Sequence, residues 1–210
     1  MTPSRVWAAW LAANVIPSVV VSVLLVLAGA ALGTDRSVVV AYVVLFGLVA
    51  SLQARVWSQW RATRSGAVRP RRWIVWTVVG LVAAMFFGVG TLATLDGLGH
   101  ERLGLVAGWA VAGLVLGLAQ ATALGVSARQ AVWWVVATVA GWAGAAAAFS
   151  ALAAAGAPIA RAPVMRWLVG GLAVEGNIEL AITAVTFAVY GLSTGAVMAH
   201  LTSRSPAAVR

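Results

Sequence analysis

Chemistry needs ionisable or nucleophilic side chains held together, and this chain has few. Its acids are Asp35, Asp96, Glu101, Glu175 and Glu179, and its two histidines are His100 and His200. Glu175, Asn177 and Glu179 form the only acidic group beside a long apolar run. An ionisable side chain in hydrocarbon is costly, which makes Glu179 a candidate proton or cation site. It lies within about a turn of the end of its run, where water, Arg161 or Arg166 could reach it, so an interfacial anchor or helix cap is the preferred reading. Ser193-Thr194 could offer a hydroxyl nucleophile, but there is no Gly-x-Ser-x-Gly pattern and no histidine at a matching depth to act as base. Hydroxyls in apolar helices ordinarily bond their own helix's carbonyls. There is no cysteine, which removes disulfides and thiolate sites. No Walker loop, Gly-x-Gly-x-x-Gly strand unit or Schiff-base lysine is present. The expectation is therefore no catalytic residue, no cofactor and no metal.

The elements that would position these residues follow from composition. The 210 residues are 62% hydrophobic and only 9% charged, with a mean hydropathy of +0.98. A soluble domain is charged at roughly a quarter of its positions, so this chain lacks the polar surface to cover a water-soluble globule. Its apolar runs reach the ~20 residues a helix needs to cross the hydrocarbon core. They do not alternate as the ~10-residue strands of a membrane barrel do. The predicted fold class is all-α, a polytopic transmembrane helical bundle, with spans over about 6–32, 37–53, 73–95, 103–126, 131–155 and 176–202. The first span shares with signal peptides an early Arg5 and the small-residue run Ala28-Gly29-Ala30. Its apolar stretch is too long for such a peptide, and it is read as a retained span.

Spacing repeats along these spans. Trp10/Asn14/Pro17, Trp73/Thr77/Gly80 and Trp134/Thr138/Gly141 each open an apolar run at i, i+4, i+7. The run that follows carries Phe46/Ala50/Gln53, Gly113/Gly117/Gln120 or Gly191/Gly195/Met198. Each set lies on one helix face. The chain thus reads as three hairpins of common descent, about 1–60, 68–128 and 130–203. Transmembrane helices gain little from hydrophobic burial against one another, and associate through close backbone approach and interhelical hydrogen bonds. Gly113/Gly117 and Gly191/Gly195, with Gly104/Gly108, are small-xxx-small pairs suited to that. The economical arrangement turns Asn14, Gln53, Thr77, Gln120 and Thr138 inward, either to pack helices or to line a pathway. Against a true repeat stand the ease of chance matches among 11 tryptophans and 22 glycines, Phe46/Ala50 in place of glycine, and Met198 in place of glutamine.

The segment 55–72 carries Arg55, Arg61, Arg64, Arg69, Arg71 and Arg72. Beside a cytoplasmic leaflet each arginine gains about 1 kcal/mol from anionic lipid head groups. The segment is therefore a lipid contact, with a soluble partner's docking site as the alternative. Residues 156–175 hold Pro158, Pro163, Gly170 and Gly171 and suit an outer interfacial segment. With both termini inside, Arg5, Arg55, Arg61, Arg64, Arg69, Arg71, Arg72, Arg129, Arg204 and Arg210 are cytoplasmic, against Arg36, Arg102, Arg161 and Arg166 outside. The positive-inside rule favours that orientation. It also places His100 and His200 on opposite faces, too far apart to share a haem or metal. Trp7, Trp10, Trp57, Trp60, Trp73, Trp76, Trp133 and Trp134 fall near the cytoplasmic boundary, where an indole can keep its N–H wet and its ring in lipid. The pI near 11.9 is explained by topology, so nucleic acid is not an expected partner.

The run from Gly113 through Gly117 to Gln120, an arginine-bearing turn, and then Trp133-Trp134, Thr138, Gly141 and Trp142 resembles a loose group of uncharacterised bacterial multi-pass proteins with repeated Gly-x-x-x-Gly-x-x-Gln hairpins and tryptophan-led helices. Tyr190-Gly191 to Gly195 is similar to that group's final span. The resemblance covers most of residues 40–200; Met198 departs from it. It implies a multi-pass fold in a bacterial cytoplasmic membrane and no agreed activity. The residues favour a non-catalytic accessory or scaffold component that meets the bilayer, a membrane-protein partner or further copies of itself. A small-molecule or ion pathway between hairpins is the first alternative, and an enzyme acting on a lipid-soluble substrate the second.

Overall fold

A computed structural model describes residues 2–32, 34–61, 70–154, 187–198 and 200. All of the regular structure among them is helical: α1 (Pro3–Leu32), α2 (Thr34–Arg61), α3 (Pro70–Gly97), α4 (Glu101–Leu124), α5 (Ala128–Ala154) and α6 (Phe187–Met198). Among the described residues, three stretches are long and apolar enough to cross a membrane: Pro70–Gly97, Leu103–Leu124 and Ala128–Ala148.

The helix ends follow from local chemistry. Pro70 opens α3, where its missing N–H costs no helical bond. At the other end of α3, Gly99 takes φ +78°, its N–H donates to the Asp96 carbonyl at 2.8 Å, and the His100 N–H donates to that of Leu95 at 2.9 Å. Gly125 ends α4 at φ 58°, ψ 36°, the left-handed conformation glycine adopts without a Cβ penalty. Residues 128–130, between the expected spans 103–126 and 131–155, instead start α5, with Ser127 just before it. The Ser127 Oγ lies 3.4 Å from the Gln130 N–H, and the Ser127 N–H donates to Gln130 Oε1 at 3.1 Å. This reciprocal pair satisfies donors at the helix start. Ser127→Ala is expected to cost about 1 kcal/mol of stability, read as a lowered unfolding midpoint in detergent.

The basic segment is shorter than its sequence suggests. Helix α2 runs on through Arg55 to Arg61, and α3 already contains Arg71 and Arg72. Glutamine, alanine and arginine are good helix formers, and an arginine at a span's end can carry its charge out on a long stem. Arg64 and Arg69 lie outside the described residues, as do Glu175, Asn177, Glu179, Arg161, Arg166 and the 156–175 segment.

Sequential helices pack against one another, and α6 packs on both α5 and α1. A Cβ built on Gly141 of α5 would meet Tyr190 Cα at 2.9 Å, and one on Gly191 of α6 would meet Asn14 Cβ at 3.2 Å. The six helices thus close into a ring. On α3 the inward positions are Trp73, Thr77, Gly80, Leu81, Ala84 and Gly88. Its outward positions include Val75, Val79, Val82 and Phe86, the last 77% exposed. Thr77, Gly80, Ala84 and Gly88 face in beside Trp73 and Leu81, while the outward face is uniformly large and apolar at these positions. A helix apolar on both faces suits lipid rather than water on the outside.

Candidate functional site

Glycine sets how closely the helices approach. A Cβ on Gly108 of α4 would lie 2.7 Å from the Gly88 carbonyl oxygen of α3, and one on Gly88 would lie 2.9 Å from that of Gly108. Gly113 and Gly117 open α4 to the next helix. Their Cβ atoms would fall 3.0 Å from Val139 Cα and 3.1 Å from Val135 Cα of α5. Gly191 and Gly195 open α6 to α1 in the same way, against Leu11 and Asn14 and against Trp7 and Trp10. At the matching register of α2 stand Phe46 and Ala50, both buried, and among the described residues the α2–α3 contact is less extensive than α4–α5. Side chains stand there where glycine admits backbone elsewhere.

One end of the ring is filled by indoles. Trp10, Trp57, Trp73 and Trp134 are each 0% exposed, and their ring centroids all lie 5.6–6.3 Å apart. Four of the six pairs are edge-to-face, the arrangement the ring quadrupole favours, worth roughly 0.5–1.5 kcal/mol per pair. This corrects the boundary reading of those four tryptophans. Rotation about the helix axes turns these four indoles toward one another and away from the outer surface. Trp76 and Trp133 do face outward. Burial of an indole demands an acceptor for its N–H, and the interior supplies two. Trp134 Nε1 donates to Gln120 Oε1 at 3.1 Å, and Trp10 Nε1 to Thr194 Oγ1 at 3.0 Å. Met198, Leu124, Val6 and Ala54 complete this cluster.

The polar residues sit just beneath it. Gln120 is wholly buried; its Oε1 accepts from Tyr190 Oη at 3.0 Å as well as from Trp134, and its Nε2 lies 3.5 Å from Thr77 Oγ1. One amide thereby links α3, α4, α5 and α6. Gln53 Nε2 donates to Asn14 Oδ1 at 2.8 Å, and Asn14 Nδ2 donates back to the Trp10 carbonyl at 2.7 Å. Thr138 and Thr194 donate to carbonyls one turn back, at Trp134 and Tyr190. Interhelical bonds in such a setting contribute about 0.6–1.7 kcal/mol each. Among the described residues, Gln53 Oε1, Trp73 Nε1 and Trp142 Nε1 are buried without a hydrogen-bond partner.

Asn14, Gln53, Thr77, Gln120 and Thr138 therefore meet at the centre, and Gly113, Gly117, Gly191 and Gly195 hold the walls around them. Arg55, Arg71 and Arg72 lie exposed at the tryptophan end, where Arg72 Nη2 donates to the Thr122 carbonyl at 2.8 Å, covering an open carbonyl in the last turn of α4. Ser193 Oγ donates to the Tyr190 carbonyl at 3.0 Å, so this hydroxyl is spent on its own helix. Sequence reasoning missed Tyr190, Thr194 and Trp57 as members of the centre. Trp57 follows Gln53 by one turn and Thr194 precedes Met198 by one turn, so both faces were readable. Tyr190 lies a further turn back on the Thr194 face, but its pairing with Gln120 had no signal, because that partner lies on another helix. No protein-family model, curated protein or solved structure matches this chain.

Proposed function

We propose that the protein is a six-span component of a bacterial cytoplasmic membrane, built as three repeated hairpins about a pseudo-three-fold axis, with both termini cytoplasmic. Its role on this reading is that of a non-catalytic accessory or scaffold subunit. The observation that carries the role is the buried polar centre, whose amides, hydroxyls and two indole N–H groups are directed at neighbouring helices. Groups spent on one another hold helices together and leave little to bind a passing solute. The repeat is supported by matching bonds. Gln53 to Asn14 joins the positions in the first hairpin that Gln120 to Thr77 joins in the second. Where the third hairpin has Met198, Thr194 one turn earlier takes the indole proton instead. Orientation is supported by the exposed Arg55, Arg71, Arg72 and Arg129 at the tryptophan end, where they would meet anionic head groups.

The absence of native cysteine makes the test clean. T77C and T138C, introduced singly, are expected to resist a membrane-impermeant thiol reagent from both sides of the membrane, while L98C in the exposed turn reacts. Reaction at both buried positions would replace the scaffold reading with a solute pathway. A cytoplasm-only reporter fused after Arg210 is expected to be active; an inactive but stably inserted fusion would reverse the orientation.

A further inference from the structure

The three seams between hairpins are not alike. At α4–α5, glycines let the backbones meet and Trp134 Nε1 reaches Gln120 Oε1. At α6–α1, glycines again admit the neighbour and Trp10 Nε1 reaches Thr194 Oγ1. At α2–α3 the corresponding donor is Trp73 Nε1 and the corresponding acceptor Gln53 Oε1. Both are fully buried side chains, and neither atom has a hydrogen-bond partner. Trp73 packs at 5.8 Å on Trp57, one turn from Gln53 along α2, so donor and acceptor border the same seam. Phe46 and Ala50 stand where the other seams have glycine, and the contact of α2 with α3 is less extensive than that of α4 with α5.

We propose that the α2–α3 seam binds a hydroxyl group, which accepts from Trp73 Nε1 and donates to Gln53 Oε1. The chemistry selects the guest. An unpartnered donor and an unpartnered acceptor on one seam can both be satisfied by a single atom that accepts and donates, as a hydroxyl oxygen does. A carbonyl has no proton for Gln53, and an ammonium has no lone pair for Trp73. Both partners are neutral, so the guest is neutral too. Water and the hydroxyl of a membrane lipid or lipid alcohol share this chemistry. The inference rests on the hairpin correspondence proposed above and extends it to a specific position.

The test uses the full chain in detergent micelles doped with a lipid alcohol, with 15N-labelled indoles and the Trp73 resonance assigned by its loss in W73F. The Trp73 indole proton is expected to show cross-relaxation to a hydroxyl proton, at the water frequency if the guest is water and at the alcohol frequency if it is lipid. The indole protons of Trp10 and Trp134 are expected to show neither. In Q53M the Trp73 resonance should shift and the cross-peak weaken. A50G, which keeps both partners and narrows the seam, should weaken it as well. A Trp73 resonance that answers to Q53M but shows no hydroxyl cross-peak in the native chain means a direct bond and overturns the guest alone. A Trp73 resonance indifferent to Q53M, while Trp134 answers to Q120M, overturns the hairpin correspondence itself.

Discussion

Replacing Gln120 by methionine is expected to destabilise the protein by about 2–4 kcal/mol, because the change strands two buried donors at once. Trp134 Nε1 and Tyr190 Oη both end on Gln120 Oε1, and a buried donor left without its acceptor costs roughly 1–3 kcal/mol. Methionine nearly preserves volume, so the loss reports hydrogen bonding rather than a cavity. Gln53→Met is the internal comparison. Its amide donates to Asn14 Oδ1, and its own Oε1 has no partner within the chain, so about 1 kcal/mol is expected. Denaturant titration of both variants in the same detergent ranks them; equal losses would mean that Gln120 is not the hub of the centre.

The second large effect comes from backbone contact. Gly108→Val is expected to cost more than about 3 kcal/mol. The new side chain would enter where even a Cβ lies 2.7 Å from the Gly88 carbonyl oxygen and 3.1 Å from Leu92 Cβ. Overpacking ordinarily costs 1–3 kcal/mol when side chains can shift, and here one of the contacts is main chain that cannot move without parting α3 from α4. Gly90→Val, two residues along α3 from Gly88, meets nothing within 4 Å and faces out. Its expected change is within about 0.5 kcal/mol. A pair of variants of one chemistry, one at the α3–α4 contact and one facing out, separates helix approach from any general intolerance of β-branched residues.

Much of this was legible in the sequence because hydrocarbon constrains a chain so strongly. Apolar length announced the helical class, and i, i+4, i+7 spacing marked the faces that carry Asn14, Thr77, Thr138, Gln53 and Gln120. The tryptophans show where such reading stops. Trp10, Trp73 and Trp134 stand four residues before Asn14, Thr77 and Thr138, so they share the inward face, whereas Trp76 and Trp133 do not. Residue type and depth pointed to the interface for all of them, and only rotational phase separates the two groups. Gly88 was not singled out, since its value lies in what faces it, and Gly108 comes from another helix. Tyr190 is the same case in polar form. The helical continuation of α2 to Arg61 escaped because charge was taken as the end of a helix, when it marks only the end of the apolar run.

Closure of α6 onto α1 is the claim on which the ring, its polar centre and its unequal seams all depend. A Cβ on Gly191 would lie 3.2 Å from Asn14 Cβ, close to the ~3.5–4.5 Å that a disulfide spans. With no other cysteine in the chain, the pair N14C and G191C, oxidised in intact membranes, is predicted to form an intramolecular disulfide that shifts the monomer on a non-reducing gel and reverses with reductant. Two thiols that stay free in protein recovered folded from the membrane fraction would contradict the account.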